Sequence, residues 1–139
     1  MSDLNRAITI ALAAHAGQVD KGGNPYIMHP IRVMLAVKSE EARIVAVLHD
    51  VLEDCPDHVW MVREAGFSPK ILEALDALTK QPLEPYGDFI LRVGMNPLAT
   101  QVKLADMRDN SDLSRIPNPT DKDRERVAKY EKYIAILAA

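Results

Sequence analysis

The sequence holds a single cysteine, Cys55, among 139 residues. An internal disulfide is therefore excluded, and a lone thiol fits a reducing compartment, so a cytoplasmic chain is expected. Aromatic residues are also scarce, at 5%. With no period-two alternation and no Asn-Gly or Asp-Gly pair, the usual strand and hairpin signals are missing. No apolar run approaches the ~20 residues of a membrane span. The apolar stretch behind Leu4-Asn5-Arg6 lacks a small-residue cleavage site, so no secretory leader is expected. Basic charge is not in excess either: Lys+Arg 17 against Asp+Glu 20 gives a net charge of −3, which offers no general surface for nucleic acid. Internal repeats and low-complexity tracts are absent.

What is there is a chain with 47% hydrophobic residues, long enough to bury roughly two-thirds of its unfolded surface as one domain over residues 1–139. Its apolar pattern is helical almost throughout. Leu4, Ala7, Ile8, Ala11, Leu12 and His15 recur at i, i+3, i+4 spacing and predict a helix from about residue 3 to Gly17. Gly17 to His29 reads as an ordered loop, and Pro30 as the first turn of a second helix carrying Ile31 to Val37. Ser39 is the N-cap expected for Glu40 to Asp54. Short helices follow over Asp57 to Ala65 and, behind Ser68-Pro69, over Lys70 to Lys80. Others cover Gly87 to Val93 and run from Asn96-Pro97 to about Leu113. Thr120 and Asp123 cap a last helix that ends in Ile134, Ile136 and Leu137. The expectation is an all-α bundle of seven or eight short helices. The apolar C-terminal end packs either internally or against a second copy, leaving a homo-oligomer open.

The third helix carries the chemistry. With His49 at 0° and ~100° per residue, Glu53 falls near 40°, Asp50 near 100° and Asp54 near 140°. Val47, Val51, Ile44, Cys55, Leu48, Leu52 and Val45 fill the opposite arc. A solvated acidic face is the plain alternative, but no Lys or Arg lies between Ile44 and Cys55 to pair these acids. Crowded carboxylates repel unless a cation sits among them. His49-Asp50 offers one nitrogen and one oxygen to a divalent metal. His29, at the end of the glycine-rich loop, is either a further ligand or a buried histidine bonded to backbone. Asp106 sits in a helix apolar on almost every side and needs a cation, from a metal or from Lys103 or Arg108. His29, His49, Asp50 and Asp106 together would make a two-nitrogen, two-oxygen site. His15 reads as a packing residue at a helix end, His58 as exposed, and Cys55 as an apolar-face residue rather than a nucleophile.

These residues stand in familiar words: Ala14-His15-Ala16-Gly17-Gln18, Asn24-Pro25-Tyr26-Ile27-Met28-His29-Pro30, Leu48-His49-Asp50-Val51-Leu52-Glu53-Asp54, and Val102-Lys103-Leu104-Ala105-Asp106 with Asn110. From about residue 4 to the C-terminus the chain resembles the HD-domain hydrolases of the RelA/SpoT homologue family. The resemblance implies an all-α HD bundle that removes the 3′-pyrophosphate of (p)ppGpp, usually with Mn²⁺, here as a small stand-alone hydrolase acting on a purine nucleotide. It implies His29, His49, Asp50 and Asp106 as metal ligands, and Glu53 and Asp54 as the acidic pair that activates or orients the attacking water. Lys21, Asn110, Arg126 and Tyr130 match substrate-contacting positions, and Lys103 either neutralises phosphate or pairs with Asp106. One departure stands out: Asp20 occupies the place where the family commonly has an arginine that holds the purine. A carboxylate can accept from guanine N1–H and N2, or from adenine N6, so base choice stays open. An adenosine counterpart, (p)ppApp, a phosphatase acting on NADPH or a related nucleotide, and a non-catalytic nucleotide sensor are the competing readings.

Overall fold

The computed structural model describes residues 3–139. Among these, the chain forms α1 (Leu4–Ala14), α2 (Met28–Ala36), α3 (Glu40–Asp54), α4 (Val59–Glu64), α5 (Pro69–Ala77), α6 (Tyr86–Gly94), α7 (Pro97–Asn110) and α8 (Asp121–Ala138), with a 3₁₀ turn over Pro56–His58. The all-α bundle expected from the sequence is the fold observed. The β-type pairing present among the described residues is an isolated bridge between Val19 and Pro25, and none of the described helices is long and apolar enough to cross a membrane.

The helix starts follow from local chemistry. The Ser39 hydroxyl accepts the Ala42 amide at 3.1 Å, Ser68 accepts Ile71 at 3.3 Å, and Asn96 accepts Ala99 at 2.9 Å. Thr120 and Asp123 close a reciprocal box, Asp123 N–H to Thr120 Oγ1 at 3.2 Å and Thr120 N–H to Asp123 Oδ2 at 2.8 Å. Each satisfies an amide that the first helical turn leaves without a partner.

Several boundaries differ from the expectation, each for an identifiable reason. α2 begins at Met28, not Pro30, because a turn closed by the His29 amide on Tyr26 O (2.9 Å) runs straight into the helix. His29 therefore lies in the first helical turn rather than ahead of it. α1 stops at Ala14, with His15 as its C-cap and Gly17 at φ +81° turning the chain away. α5 ends at Ala77 instead of Lys80, where the Arg92 guanidinium donates to the carbonyls of Asp76, Ala77 and Thr79. α7 ends at Asn110, three residues short of Leu113, as the Ser111 hydroxyl takes the Met107 carbonyl at 2.7 Å.

α3 is the axis of the bundle and packs against α1, α2, α5 and α7. Ile44, Val45, Ala46, Val47, Leu48 and Val51 are all buried in it. Its polar arc is buried as well at His49 and Asp50, turned toward α2 and α7 rather than water, and only Glu53 and Asp54 emerge at its end. At the C-terminus, Ile134 and Leu137 pack on the core while Ile136 stays exposed.

Candidate metal centre

Three helices deliver the site. α2 brings His29, α3 brings His49 and Asp50, and α7 brings Asp106, all four buried. Ligand atoms of His29, His49 and Asp50 lie within 4.8 Å of one another. Asp106 Oδ1 completes the group, 2.9 Å from His29 Nε2 and 3.3 Å from His49 Nε2. The four residues read as ligands from the sequence are thus brought together.

The donor set fits a cation. His49 Nδ1–H donates to the Ala46 carbonyl at 2.6 Å, so a neutral ring presents a bare lone pair at Nε2. That atom is buried without a hydrogen-bond partner, yet it faces Asp50 Oδ1 at 3.2 Å and Asp106 Oδ1 at 3.3 Å. A lone pair aimed at two carboxylates is repulsive unless positive charge stands between them. Burial opposes a charged His49, but the carboxylates of Asp50 and Asp106 prevail and push it up to about 10. Burial likewise opposes charge on His29, while bonds to Asp106 and Asp109 raise it to about 9. For Asp106, burial is outweighed by Lys103 and His49, which hold its carboxyl well below the usual range.

The other expected residues divide into groups. Lys21, Asn110, Arg126 and Tyr130 line a cavity of about 330 Å³ that also reaches His29. Lys21 and Arg126 share Asp123 Oδ1, at 3.4 and 2.9 Å, which ties the Gly17–His29 loop to α8. Asn110 Nδ2 donates to Asp106 Oδ1 at 3.1 Å. Lys103 lies outside that lining; its largely buried ammonium donates to Asp106 Oδ2 at 3.0 Å, the pairing alternative. Glu53 and Asp54 sit at the exposed end of α3. Glu53 accepts the Lys80 amide at 3.1 Å, whereas burial and then Asp50 and Glu53 raise the Asp54 carboxyl. Asp20 lines the cavity, but its Oδ1 already accepts the amides of Gly22 and Asn24, both at 2.9 Å. His15 is buried with Nδ1 2.9 Å from Gln18 Oε1, and Cys55 is buried; His58 is half-buried rather than exposed.

Sequence reasoning missed four participants. The Tyr26 hydroxyl donates to Asp50 Oδ2 at 2.7 Å, and Asp109 Oδ2 accepts His29 Nδ1–H at 2.6 Å. Arg32 and Arg115 line the cavity and both reach Asp109. Asp109, three residues after Asp106, shares its helix face, and that spacing was the one available signal.

A bundle whose adjacent helices supply His, His-Asp and Asp to one buried point defines an HD-type domain. No family model matches the chain. Curated relatives do: it is 31% identical over 120 residues, 78% of the chain, to the guanosine-3′,5′-bis(diphosphate) 3′-pyrophosphohydrolase of Aquifex aeolicus. It is 32% identical over 135 residues, 86% of the chain, to that of Haemophilus influenzae. The matches span only 17% and 20% of those relatives' own lengths. A solved structure, described as a metazoan orthologue of SpoT that hydrolyses ppGpp, superposes with a TM-score of 0.79 at 23% identity over 99% of this chain and 85% of that one. The chain is related to the HD-domain hydrolases of the RelA/SpoT homologue family.

Proposed function

We propose that residues 1–139 act as one HD-type metal-dependent phosphohydrolase domain in the cytoplasm, hydrolysing the 3′-pyrophosphate of (p)ppGpp to GDP or GTP and pyrophosphate. His29, His49, Asp50 and Asp106 would hold the ion, which we assign as Mn²⁺. The observation that carries this reading is the buried, unpartnered Nε2 of His49 facing two carboxylates beside a cavity lined by Lys21, Arg32, Arg115 and Arg126. Cationic side chains there suit a polyphosphorylated substrate, and the names of the curated relatives favour the 3′-pyrophosphate.

A divalent ion at such a centre makes water a nucleophile near neutral pH and polarises phosphoryl oxygens. The chain's own groups do the rest. Asp54, with its raised carboxyl, accepts the proton of the attacking water, and Glu53, fixed by the Lys80 amide, orients that water. Lys21 and Arg126 hold phosphate oxygens, while Asn110 and Tyr130 position the nucleoside and its 5′ end.

Asp20 leaves room for a second reading on the base: its Oδ2 has no hydrogen-bond partner among the described residues and is free to accept from guanine N1–H and N2 or from adenine N6. The test is a product assay with Mn²⁺ and, separately, ppGpp, ppApp and NADPH, resolving pyrophosphate from orthophosphate. Pyrophosphate from ppGpp supports the first reading, and faster release from ppApp supports the adenosine alarmone. Orthophosphate from NADPH alone makes the protein a nucleotide phosphatase. Metal binding without turnover of any of the three refutes all of these and leaves a sensor.

A further inference from the structure

We propose that Asp109 is a positioning residue for the metal centre, acting through His29: it holds the ring proton on Nδ1 so that Nε2 is aimed at His49, Asp50 and Asp106. The inference rests on the reading of His29 as a ligand.

The contact is short and enclosed. Asp109 Oδ2 lies 2.6 Å from His29 Nδ1, with 5% of the histidine side chain and 13% of the aspartate side chain exposed. The carboxylate is itself immobilised. Arg32 grips it as a fork, Nε to Oδ1 at 2.9 Å and Nη2 to Oδ2 at 3.1 Å. Arg115 Nη2 stands 3.3 Å from Oδ1 and also donates to the Asp109 carbonyl at 3.0 Å. A bidentate arginine fixes the plane of a carboxylate as well as its charge, so the direction of the Nδ1–H bond is set by three side chains.

The second ring of the site is built on the same plan. His49 Nδ1–H is held at 2.6 Å by the Ala46 carbonyl, one turn earlier on its own helix. His29 lies in the first turn of α2, and its Nδ1 is not engaged by its own helix. α7 supplies the acceptor instead. Asp106 and Asp109, three residues apart, present one candidate ligand and one orienting group to the same cleft. Both imidazoles thus have Nδ1 engaged from outside and Nε2 converging inside. A hydrogen bond of this kind selects the ligating nitrogen, restrains ring rotation and raises basicity, and its loss costs a metal site roughly 10- to 100-fold in affinity.

The experiment measures Mn²⁺ affinity by calorimetry at one pH, and the melting temperature of the metal-free protein, for wild type and for Asp109→Leu, Asp109→Ser, Asp109→Asn and Asp112→Asn. Asp109→Leu and Asp109→Ser are expected to weaken Mn²⁺ binding by roughly 10- to 100-fold. Asp109→Asn, which keeps an oxygen for Nδ1–H, recovers most of that loss. Asp112→Asn removes a like charge that pairs with Arg115 at 2.9 Å but does not touch His29, and it leaves affinity within about threefold. If Asp109→Leu does not fold, Asp109→Ser decides. A lowered melting temperature with unchanged Mn²⁺ affinity would make Asp109 a structural ion-pair partner only. An equal loss in Asp112→Asn would make the effect general electrostatics. Wild-type protein that takes up no Mn²⁺ would overturn the proposed function itself, whereas wild-type uptake with unaltered Asp109 variants overturns this inference alone.

Discussion

Glu53 and Asp54 are neighbours in sequence, and on the proposed reaction their surroundings give them different work. The Glu53 carboxylate is engaged by the Lys80 amide at 3.1 Å, while Asp54 makes no side-chain hydrogen bond among the described residues. A group whose acceptor atoms are already engaged orients, and a free one with a raised carboxyl takes protons. On the proposed reaction, Asp54→Asn is therefore expected to cut kcat by ~10²- to 10⁴-fold, the usual range for a general base. Glu53→Gln is expected to cost less, since its amide oxygen still meets the Lys80 N–H. Mn²⁺ affinity should stay within about threefold of wild type in both, and steady-state kinetics beside calorimetry separate the two effects. At this scale, what the sequence revealed depended on distance along the chain. His49 and Asp50 were visible as unpaired polar groups on one helix, and Asp106 as a carboxylate in apolar surroundings. Tyr26–Asp50 and His29–Asp109 were not, because those bonds join residues 24 and 80 positions apart.

At the scale of elements, helix starts were easier to read than helix ends. Ser39, Ser68, Asn96 and Thr120 cap through amides three residues away, so each motif is complete within a few letters. The end of α5 is set from elsewhere. Arg92 on α6 donates to its last two carbonyls, Asp76 and Ala77, and to Thr79 just beyond, and is clamped by Glu84, Nη2 to Oε1 at 2.9 Å and Nε to Oε2 at 3.0 Å. No local pattern announces a guanidinium from another helix. The clamp also predicts a pH response. The bond to Arg92, then the Gln81 amide, hold the Glu84 carboxyl down at about 2. A carboxyl depressed on folding contributes stability that is present above its unfolded value, near ~4.3, and that is lost as pH falls through the folded value. Glu84→Gln should therefore melt below wild type at pH 6, and the gap should narrow as pH falls from about 4.5 toward 2. Melting curves of both proteins across that range test it; a gap that stays constant would show that the Glu84 charge adds nothing to the clamp.

At the scale of the molecule, the cavity exists because the Gly17–His29 loop is pressed onto the segment between α7 and α8. A Cβ at Gly22 would meet the Arg115 carbonyl oxygen at 2.5 Å, a backbone atom that cannot swing aside. Gly22→Ala must push the two segments apart, at about 1–3 kcal/mol for an overpacked contact. It should also raise KM more than it lowers kcat, since Lys21 and Arg115 move while His29, His49 and Asp50 stay on their helices. Chemical denaturation and kinetics on the same preparation check both halves.

An ion at the proposed site would tie together the helices that the loop does not. α2, α3 and α7 already pack on one another, but their buried polar ends meet at carboxylates and imidazoles that repel or must take up protons when no ion is bound. An ion bound only by the folded chain stabilises it by RT ln(1 + [L]/Kd), about 2.7 kcal/mol at a hundredfold excess over Kd. For a domain of this size that corresponds to roughly 6–12 °C in melting temperature. Mn²⁺ at that excess should raise the melting point of wild type by this amount, and a chelator should reverse it. His49→Gln should remove the shift, because an amide replaces the nitrogen whose lone pair faces Asp50 and Asp106, while caps and apolar contacts elsewhere in α3 remain. Its metal-free melting point should therefore move far less than its metal response. A variant that kept the full Mn²⁺ shift would place the ion away from the junction of the three helices, and the buried imidazoles would then be no more than proton-holding partners of Asp50 and Asp106.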